Sequence, residues 1–536
     1  MLAKVYAAQV VGLKADTVEV EVDIAKGLHS FAIVGLPDKA VEEARDRISA
    51  AIKNSGFPSP QRGNRKVIVS LAPADLKKEG SAFDLAIAVA HLLASREIRF
   101  APAGKAFLGE LALNGELRPI KGTLLLVKHL RDAGFHEIFL PLANAREAAL
   151  INGITIYGCE CLRDLVDYLS PKPKTAGEKE ARGNENAPNP STSLRAQPPT
   201  IISYIDEAPT IDLADVVGQA SGKRGLEIAA AGGHNIAMSG PPGTGKTMLA
   251  KALSGILPPL SFDQVLEATG IHSVSGTLVD GELITQPVFR APHHTASYIS
   301  LVGGGTIPRP GEITLAHRGV LFLDEFPEFD KRVIEALRQP LEDRVITIAR
   351  SRGTTTFPAS FILVATMNYC PCGNRGIAGK ECICNPSALL RYQRKLSGPI
   401  VDRIDLWIDV PHIDHQKLAA ASRSGPASPD ASQGGEYSRA VRERVIAARQ
   451  IAMHRFTGLP ISSNSEMGVR ELKRFAPLSD SGTKLLVDSA RRLNLSARAY
   501  HRVIKLARTI ADLAGSEHIR DEHLLEALQY RPKNNS

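Results

Sequence analysis

The sequence predicts an α/β fold in three parts: a mixed α+β block first, a parallel-sheet core in the middle and an all-helical segment last. Three observations predict it. Residues 320–323 and 361–365 are fully apolar runs, the pattern of strands at the centre of a parallel sheet covered on both faces. Residues 436–528 read as helical throughout. Two stretches poor in large apolar side chains, 171–200 and 422–435, read as linker and loop.

A chain of 536 residues exceeds what one hydrophobic core can organise, so about three domains are expected. The first spans residues 1–170. Alternating runs at 4–10, 18–22 and 31–34 read as strands, as does 66–71, while 38–54 and 83–94 read as helices. A helix at 124–132, strands at 137–140 and 154–157, and a helix at 162–169 complete this block. A flexible linker is expected over 171–205, an α/β core over 206–415 and a C-terminal α-helical lid over 416–536. No internal repeat is apparent.

Composition narrows the function classes. Apolar content of 43% with 23% charged residues is that of a soluble globular chain and not of a disordered one. No apolar run approaches the roughly 18 residues that cross a bilayer, and the longest, 85–94, contains His91. The N-terminus lacks a basic segment followed by an apolar one, so no signal peptide and a cytoplasmic location without a membrane partner are expected. A net charge of +8 and a pI near 9.1 permit a nucleic-acid partner without requiring one. The cysteines fall in Cys-x-Cys pairs, Cys159/Cys161, Cys370/Cys372 and Cys382/Cys384. In a large cytoplasmic chain that pattern points to metal binding or buried thiols more than to disulfides.

The segment Gly240-Pro241-Pro242-Gly243-Thr244-Gly245-Lys246-Thr247 fits the phosphate-binding pattern G-x-x-x-x-G-K-[ST]. An apolar run at 235–238 precedes it and a helical run at 248–253 follows, which is the strand–loop–helix context the motif needs. Gly240, Gly243, Thr244 and Gly245 let backbone N–H groups turn inward around phosphate oxygens at a helix N-terminus. Lys246 is expected to reach the β- and γ-phosphates of ATP, and Thr247 to hold Mg²⁺. Downstream, the apolar run 320–323 ends in Asp324 and Glu325. Ligand sites lie at the carboxyl ends of such strands. Asp324 is expected in the Mg²⁺ shell and Glu325 as the general base that polarises the attacking water.

The order of the remaining motifs resembles AAA+ ATPases. The strand at 361–366 leads to Asn368, the place of the polar sensor 1 residue that touches the γ-phosphate and lytic water. Asp402-Arg403-Ile404-Asp405 resembles the segment where Mg-chelatase and replicative-helicase ATPases carry an arginine finger, so Arg403 is expected to enter a neighbouring subunit's site. Leu495-Ser496-Ala497-Arg498 opens a helix, and Arg498 matches the sensor 2 position. A finger acting in trans implies a ring, expected to be a homo-hexamer.

Two inserted stretches sharpen the resemblance. One contains Val288-Phe289-Arg290-Ala291-Pro292-His293-His294-Thr295-Ala296-Ser297 and a triple glycine at 303–305. The other, residues 345–357, reads as a β-hairpin with basic residues near its tip. They resemble the helix-2 insert and pre-sensor-1 hairpin of Mg-chelatase ATPases and MCM helicases. With Phe-Arg-Ala-Pro-His-His and Cys-Pro-Cys-Gly, the whole chain apart from the linker resembles the ComM/YifB family of Mg-chelatase-like proteins. The resemblance implies a hexameric ATP-driven DNA motor that promotes branch migration during homologous recombination or natural transformation, with recombination proteins as further partners. In helicases of this clade such hairpins grip DNA, so Arg290, His293, His294, Arg350 and Arg352 are the candidate DNA contacts. Arginine suits this because its planar fork binds phosphate oxygens bidentately.

Residues 35–38, 71–80 and 109–120 resemble the proteolytic domain of Lon proteases. Lon places its nucleophile in K-D-G-P-S-A-G. Here Lys78-Glu79-Gly80-Ser81-Ala82-Phe83-Asp84 sets Ser81 at the proline and Ala82 at the nucleophile, while Leu124 stands where the lysine partner belongs. A hydroxyl needs a base within hydrogen-bond reach. A non-proteolytic scaffold for ring assembly or DNA binding is therefore expected, as a related Lon-like domain serves in the RadA recombination proteins. A shift of one position at Ser81, with Lys121 or Lys128 as base, keeps an ATP-dependent peptidase as an alternative. A Mg-chelatase-like motor for metal insertion is the other alternative, although no D-x-S-x-S metal-adhesion motif is present.

Cys370/Cys372 and Cys382/Cys384 flank a Gly-rich loop at 373–381. Four thiolates this close could form a tetrahedral Zn²⁺ site that clips a loop beside the ATP site or pore. Reduced structural thiols are the alternative, because Cys-x-Cys is tighter than the usual Cys-x₂-Cys spacing. For Cys159/Cys161, which lack a second pair, plain thiols are expected.

Overall fold

The computed structural model describes residues 2–60, 64–74, 77–78, 80–170, 196–200, 202, 204, 210–278, 282–305, 309–350, 353–377, 379–413 and 436–532. Of the linker expected over 171–205, residues 171–195, 201, 203 and 205 lie outside them, as does the interruption at 422–435. The chain forms two compact units, Met1–Ser203 with Val265–Leu283, and Tyr204–Gln264 with Ile284–Ser536.

The first unit is built on a seven-stranded sheet among the described residues. Its strands are β1 (Leu2–Val11), β2 (Lys14–Lys26), β3 (Ser30–Val34), β4 (Arg65–Ala72), β5 (Lys105–Phe107), β8 (Glu137–Pro141) and β9 (Thr155–Cys159), in the order β3-β4-β2-β1-β5-β8-β9. A two-stranded ribbon of β6 (Glu110–Leu111) and β7 (Leu117–Arg118) stands beside it. β1 and β2 form an antiparallel hairpin, whereas β5, β8 and β9 run parallel. The alternation in β2 is what orients the sheet: Val18, Val20 and Val22 are fully buried, and the intervening positions face away from that core. The helix Asp84–Ala94 is too apolar to be amphipathic and lies inside, with Leu85 to Leu92 buried throughout. Its first carboxylate, Asp84, is compensated by a two-pronged pair with Arg47 at 2.6 and 3.0 Å and by the Leu111 N–H at 3.1 Å.

Ser81 Oγ donates to the Glu110 carboxylate. Val265–Leu283 also belongs to this unit. Ser273 Oγ accepts from the Gly122 N–H at 2.9 Å, and Leu266 and Leu283 pack on the unit's apolar core.

The second unit has a five-stranded parallel sheet among the described residues: β10 (Ile236–Ser239), β11 (Phe289–Arg290), β14 (Val320–Leu323), β17 (Ile362–Met367) and β18 (Leu406–Asp409). The order β11-β14-β17-β10-β18 sets β10 between β17 and β18. Every residue of β14 and β17 is buried, as expected of strands covered on both faces. Asn235 locks this arrangement just before β10. Its N–H donates to Asp405 at 2.9 Å, and its Oδ1 accepts from the Leu363 N–H at 2.9 Å. This is the AAA+ core order, with the phosphate loop leaving the strand between β17 and β18.

Two short ribbons extend from that core. One pairs β12 (Gly303–Gly304) with β13 (Arg309–Pro310), the other β15 (Val345–Arg350) with β16 (Gly353–Pro358). Ile346, Ile348 and Phe357 are buried, so the second ribbon has one apolar face seated on the unit. Ile348 lies against Gly303, where an added Cβ would meet its Cδ1 at 3.1 Å, so the two inserted stretches meet.

The C-terminal part contains the helices Ser438–Arg455, Val469–Phe475, Asp480–Arg492, Ala497–Leu513 and Asp521–Gln529. Buried polar groups fasten it to the core. His234 and Thr509 approach to 2.8 Å, and Arg502 pairs with Asp405. Burial pushes the Asp405 pKa up, but Arg502, His234 and the Asn235 N–H outweigh it and hold the carboxyl well below the usual carboxylate range.

Candidate nucleotide-binding site

The phosphate loop leaves β10 at its carboxyl end and enters the helix Lys246–Ile256. Two glycines are required by geometry. A Cβ at Gly240 would lie 2.2 Å from the Val410 carbonyl oxygen, and Gly245 has φ +88°, the left-handed region. Gln219, itself left-handed at φ 53°, donates to the Thr244 carbonyl at 3.2 Å and the Pro411 carbonyl at 2.8 Å. It therefore ties the loop to the end of β18. Sequence reading missed Gln219, although the Gly218-Gln219 pair before an Ala-rich helix was a usable signal.

Lys246 is 8% exposed and folds back on the loop. Its Nζ donates to the carbonyls of Gly240 and Pro241, both at 2.7 Å, and to Asn368 Oδ1 at 3.2 Å. Burial lowers its pKa, and the carboxylates of Asp324 and Glu325 oppose that shift. The expected phosphate contact and the expected sensor are thus in direct contact across loop and strand.

Asp324 ends β14. Its carboxylate accepts from Thr247 Oγ1 at 3.2 Å and from the Thr366 hydroxyl on the adjacent β17. A hydroxyl and a carboxylate converging at the carboxyl edge of a parallel sheet are oxygen donors of the kind Mg²⁺ takes, so the pair fits that ion. Thr366 was not anticipated, although it is the polar residue that ends an otherwise apolar run. Glu325 has φ 52°, a left-handed conformation that is uncommon outside glycine. Its Oε2 lies 3.4 Å from His294 Nδ1.

Arg403 and Arg498 are brought to one acceptor. Arg403, 7% exposed, donates to the Pro399 carbonyl at 2.8 Å and to Glu342, while Arg498 Nη2 donates to the other oxygen of Glu342 at 2.7 Å. Ser496 caps the helix of Arg498 by accepting from the Ala499 N–H at 3.2 Å. No sequence pattern marked Glu342.

The candidate DNA contacts divide. Arg290 is paired bidentately with Glu312, both bonds at 2.7 Å. His293 is exposed and stacks near His294, with ring centroids 4.2 Å apart. Arg350 closes the β15–β16 ribbon opposite Gly353, and Arg352 lies outside the described residues. The sulfurs of Cys370, Cys372, Cys382 and Cys384 lie within 4.8 Å of one another, whereas Cys159 and Cys161 join no such group among the described residues. No helix among the described residues is long and apolar enough to cross a membrane.

Comparison with known families agrees with this geometry. Residues 212–418 match the family "Magnesium chelatase, subunit ChlI", residues 20–144 "Subunit ChlI of Mg-chelatase" and residues 435–531 "Magnesium chelatase, subunit ChlI C-terminal". The chain is 40% identical to the Competence protein ComM of Haemophilus influenzae, covering 99% of this chain and 97% of that one. It is 41% identical to the YifB protein of Salmonella typhimurium at the same coverage. Part of the chain is 30% identical to Lon protease 2 of Bacillus subtilis over 139 residues, a quarter of each chain. The phosphate loop, the parallel sheet that presents it and the full-length likeness lead to one assignment: this chain belongs to the ComM/YifB family of magnesium-chelatase-like AAA+ proteins.

Proposed function

We propose that this protein is an ATP-driven DNA motor that works as a homo-hexameric ring and promotes branch migration during recombination. The observation that carries this reading is the full-length likeness to a protein named for competence, together with the Lys246, Thr247, Asp324 and Asn368 constellation. In this reading Lys246 and the loop N–H groups bind the phosphates of ATP, and Thr247 and Asp324 hold Mg²⁺, which offsets phosphate charge. Glu325 takes the proton of the attacking water, Asn368 orients that water, Arg403 completes a neighbouring subunit's site and Arg498 serves as sensor 2. Grip on DNA comes from the segment of the exposed His293 and the half-buried His294, from the ribbon that Arg350 closes, and from Arg352, which follows it in sequence. The Lon-like domain over 1–170 is a scaffold joined by the linker to the core over 206–415 and the lid over 416–536. This reading gives it no peptidase, since Ala82 stands where Lon places its nucleophile and Leu124 where it places the lysine.

The test is ATP-dependent movement of a synthetic four-way or three-stranded junction, with Lys246→Ala as control. Junction processing by the intact protein and its loss in the variant supports the reading. ATP hydrolysis that neither moves a junction nor responds to DNA overturns it. A second reading, a chelatase-type motor for metal insertion, is favoured by the matches to magnesium chelatase subunit ChlI. ATP turnover that rises with a porphyrin and a partner subunit, and not with DNA, would select it.

A further inference from the structure

We propose that Cys370, Cys372, Cys382 and Cys384 bind one zinc ion, and that this ion holds the loop bracing Asn368 and the phosphate loop.

The geometry is that of a single-metal site. All four sulfurs lie within 4.8 Å of one another, with Cys370 and Cys372 at 3.4 Å and Cys372 and Cys382 at 3.7 Å. A tetrahedral ion with Zn–S bonds of about 2.3 Å sets its sulfurs about 3.8 Å apart, so no separation in the cluster needs to change by more than about 1 Å to close on one. Two disulfides fit less well, because Cys372 approaches both Cys370 and Cys382 and has no single dedicated partner. Multinuclear iron–sulfur clusters spread their cysteine ligands over several irons, wider than this set allows. The Arg375 N–H points at Cys370 Sγ at 3.4 Å, a backbone bond of the kind that steadies a metal-bound thiolate.

Apart from turn hydrogen bonds and one bond from the Asn374 amide to the Glu381 carbonyl at 3.3 Å, the loop has little to fold around. Among its described residues, 371–385 has neither helix nor strand, Gly373 alone is buried, and Ile383 is 82% exposed. Ordering a stretch of this length without apolar burial costs about 1–2 kcal/mol of backbone entropy per residue, which a cross-link through the metal offsets.

Its position gives the ion consequence. Cys370 follows Asn368 by two residues, and Asn368 contacts Lys246. Gly373 lies against Pro242, where an added Cβ would meet Cγ at 3.2 Å. Gly376 lies against Pro241 and the Tyr369 ring, at 3.4 and 3.1 Å by the same measure. The metal-closed loop is thus one wall of the phosphate loop. This coupling rests on the ATP-site reading, whereas the metal site itself does not.

Elemental analysis of intact protein, purified without chelators from zinc-replete cells, should return about one zinc per chain. Treatment with a mercurial should release it to a chromogenic chelator. Refilling with Co²⁺ should give the thiolate charge-transfer bands of tetrahedral S₄ coordination. The double variant Cys382→Ser/Cys384→Ser should lose the zinc, and Cys159→Ser should keep it. Near-zero zinc with no cobalt–thiolate bands overturns the metal site, and stoichiometric iron in its place overturns zinc. If the double variant does not fold, mercurial release from the intact protein decides the same question. For the coupling, zinc release should raise the KM for ATP several-fold. Release without change in ATP binding overturns the brace and leaves the metal site standing. A zinc-loaded protein that never hydrolyses ATP counts against the motor reading alone.

Discussion

His294 Nδ1 lies 3.4 Å from Glu325 Oε2, so an imidazole from one inserted stretch meets the carboxylate that follows β14. Glu325 is expected to polarise the lytic water, and His294 sits beside the exposed His293 in the segment proposed to touch DNA. A single side chain therefore links the two proposed tasks. With the side chains 31% and 53% exposed, the pair is worth at most about 1 kcal/mol. His294→Ala should raise DNA-independent ATP turnover about two- to fivefold, the factor that such an energy corresponds to. It should also shrink the stimulation by DNA. Steady-state ATPase assays with and without DNA read both, and an unchanged basal rate with intact stimulation would remove this latch.

Asn368 Oδ1 accepts from Lys246 Nζ at 3.2 Å, which fixes the amide beside the phosphate loop. In the proposed role Asn368 acts mainly on the transition state. Asn368→Ala should then lower kcat by about 10²-fold while the KM for ATP moves little. A variant that loses ATP binding and keeps kcat would assign Asn368 to substrate binding instead.

Arg403 and Arg498 share the two oxygens of Glu342. For a finger that works in trans, Arg403→Ala should lose about 10³-fold or more in ATP turnover. Equal mixing with an otherwise inactive Lys246→Ala protein should restore activity to about a quarter of normal. In random rings that is the share of intact sites facing an intact finger. Titrating one variant into the other and following phosphate release checks this, and strict additivity of two dead proteins would count against a trans finger.

His91 is buried in the helix Asp84–Ala94, and its Nδ1 has no hydrogen-bond partner among the described residues. Burial, with a smaller push from Arg65, lowers its pKa from 6.5 to about 4. Between those values the unfolded chain takes up a proton that the folded chain refuses, so stability falls as pH falls from 6.5 towards 4. At pH 4.5 the cost relative to pH 7.5 is on the order of 2–3 kcal/mol. His91→Leu should remove that component. Hydrogen-exchange protection of residues 84–94 at the two pH values measures it, as the difference between the variant and the parent protein.

Much of the core could be read because its signals are local. An apolar strand, a loop of fixed glycine spacing and a helix occupy adjacent positions in the chain, so β10, Lys246 and Thr247 followed from the motif. The apolar runs became β14 and β17, because a strand buried on both faces shows no alternation. Helix ends were less legible. The phosphate-loop helix runs Lys246–Ile256, beyond the periodic stretch at 248–253, because its first turn is also the phosphate loop.

The sequence by itself determined the elements, the order of the motifs and the chemical groups at each strand end, since these depend on residue type and spacing along the chain. Only the tertiary structure decided which groups meet. Glu342 under both arginines, Gln219 bridging Thr244 and Pro411, and His294 against Glu325 each join positions that spacing alone does not pair. Val265–Leu283 likewise joined the first unit although its sequence neighbours lie in the second. The physical reason is the same throughout. Local propensity acts over a few residues, whereas burial and the pairing of polar groups are settled by whatever the folded chain brings within bonding distance.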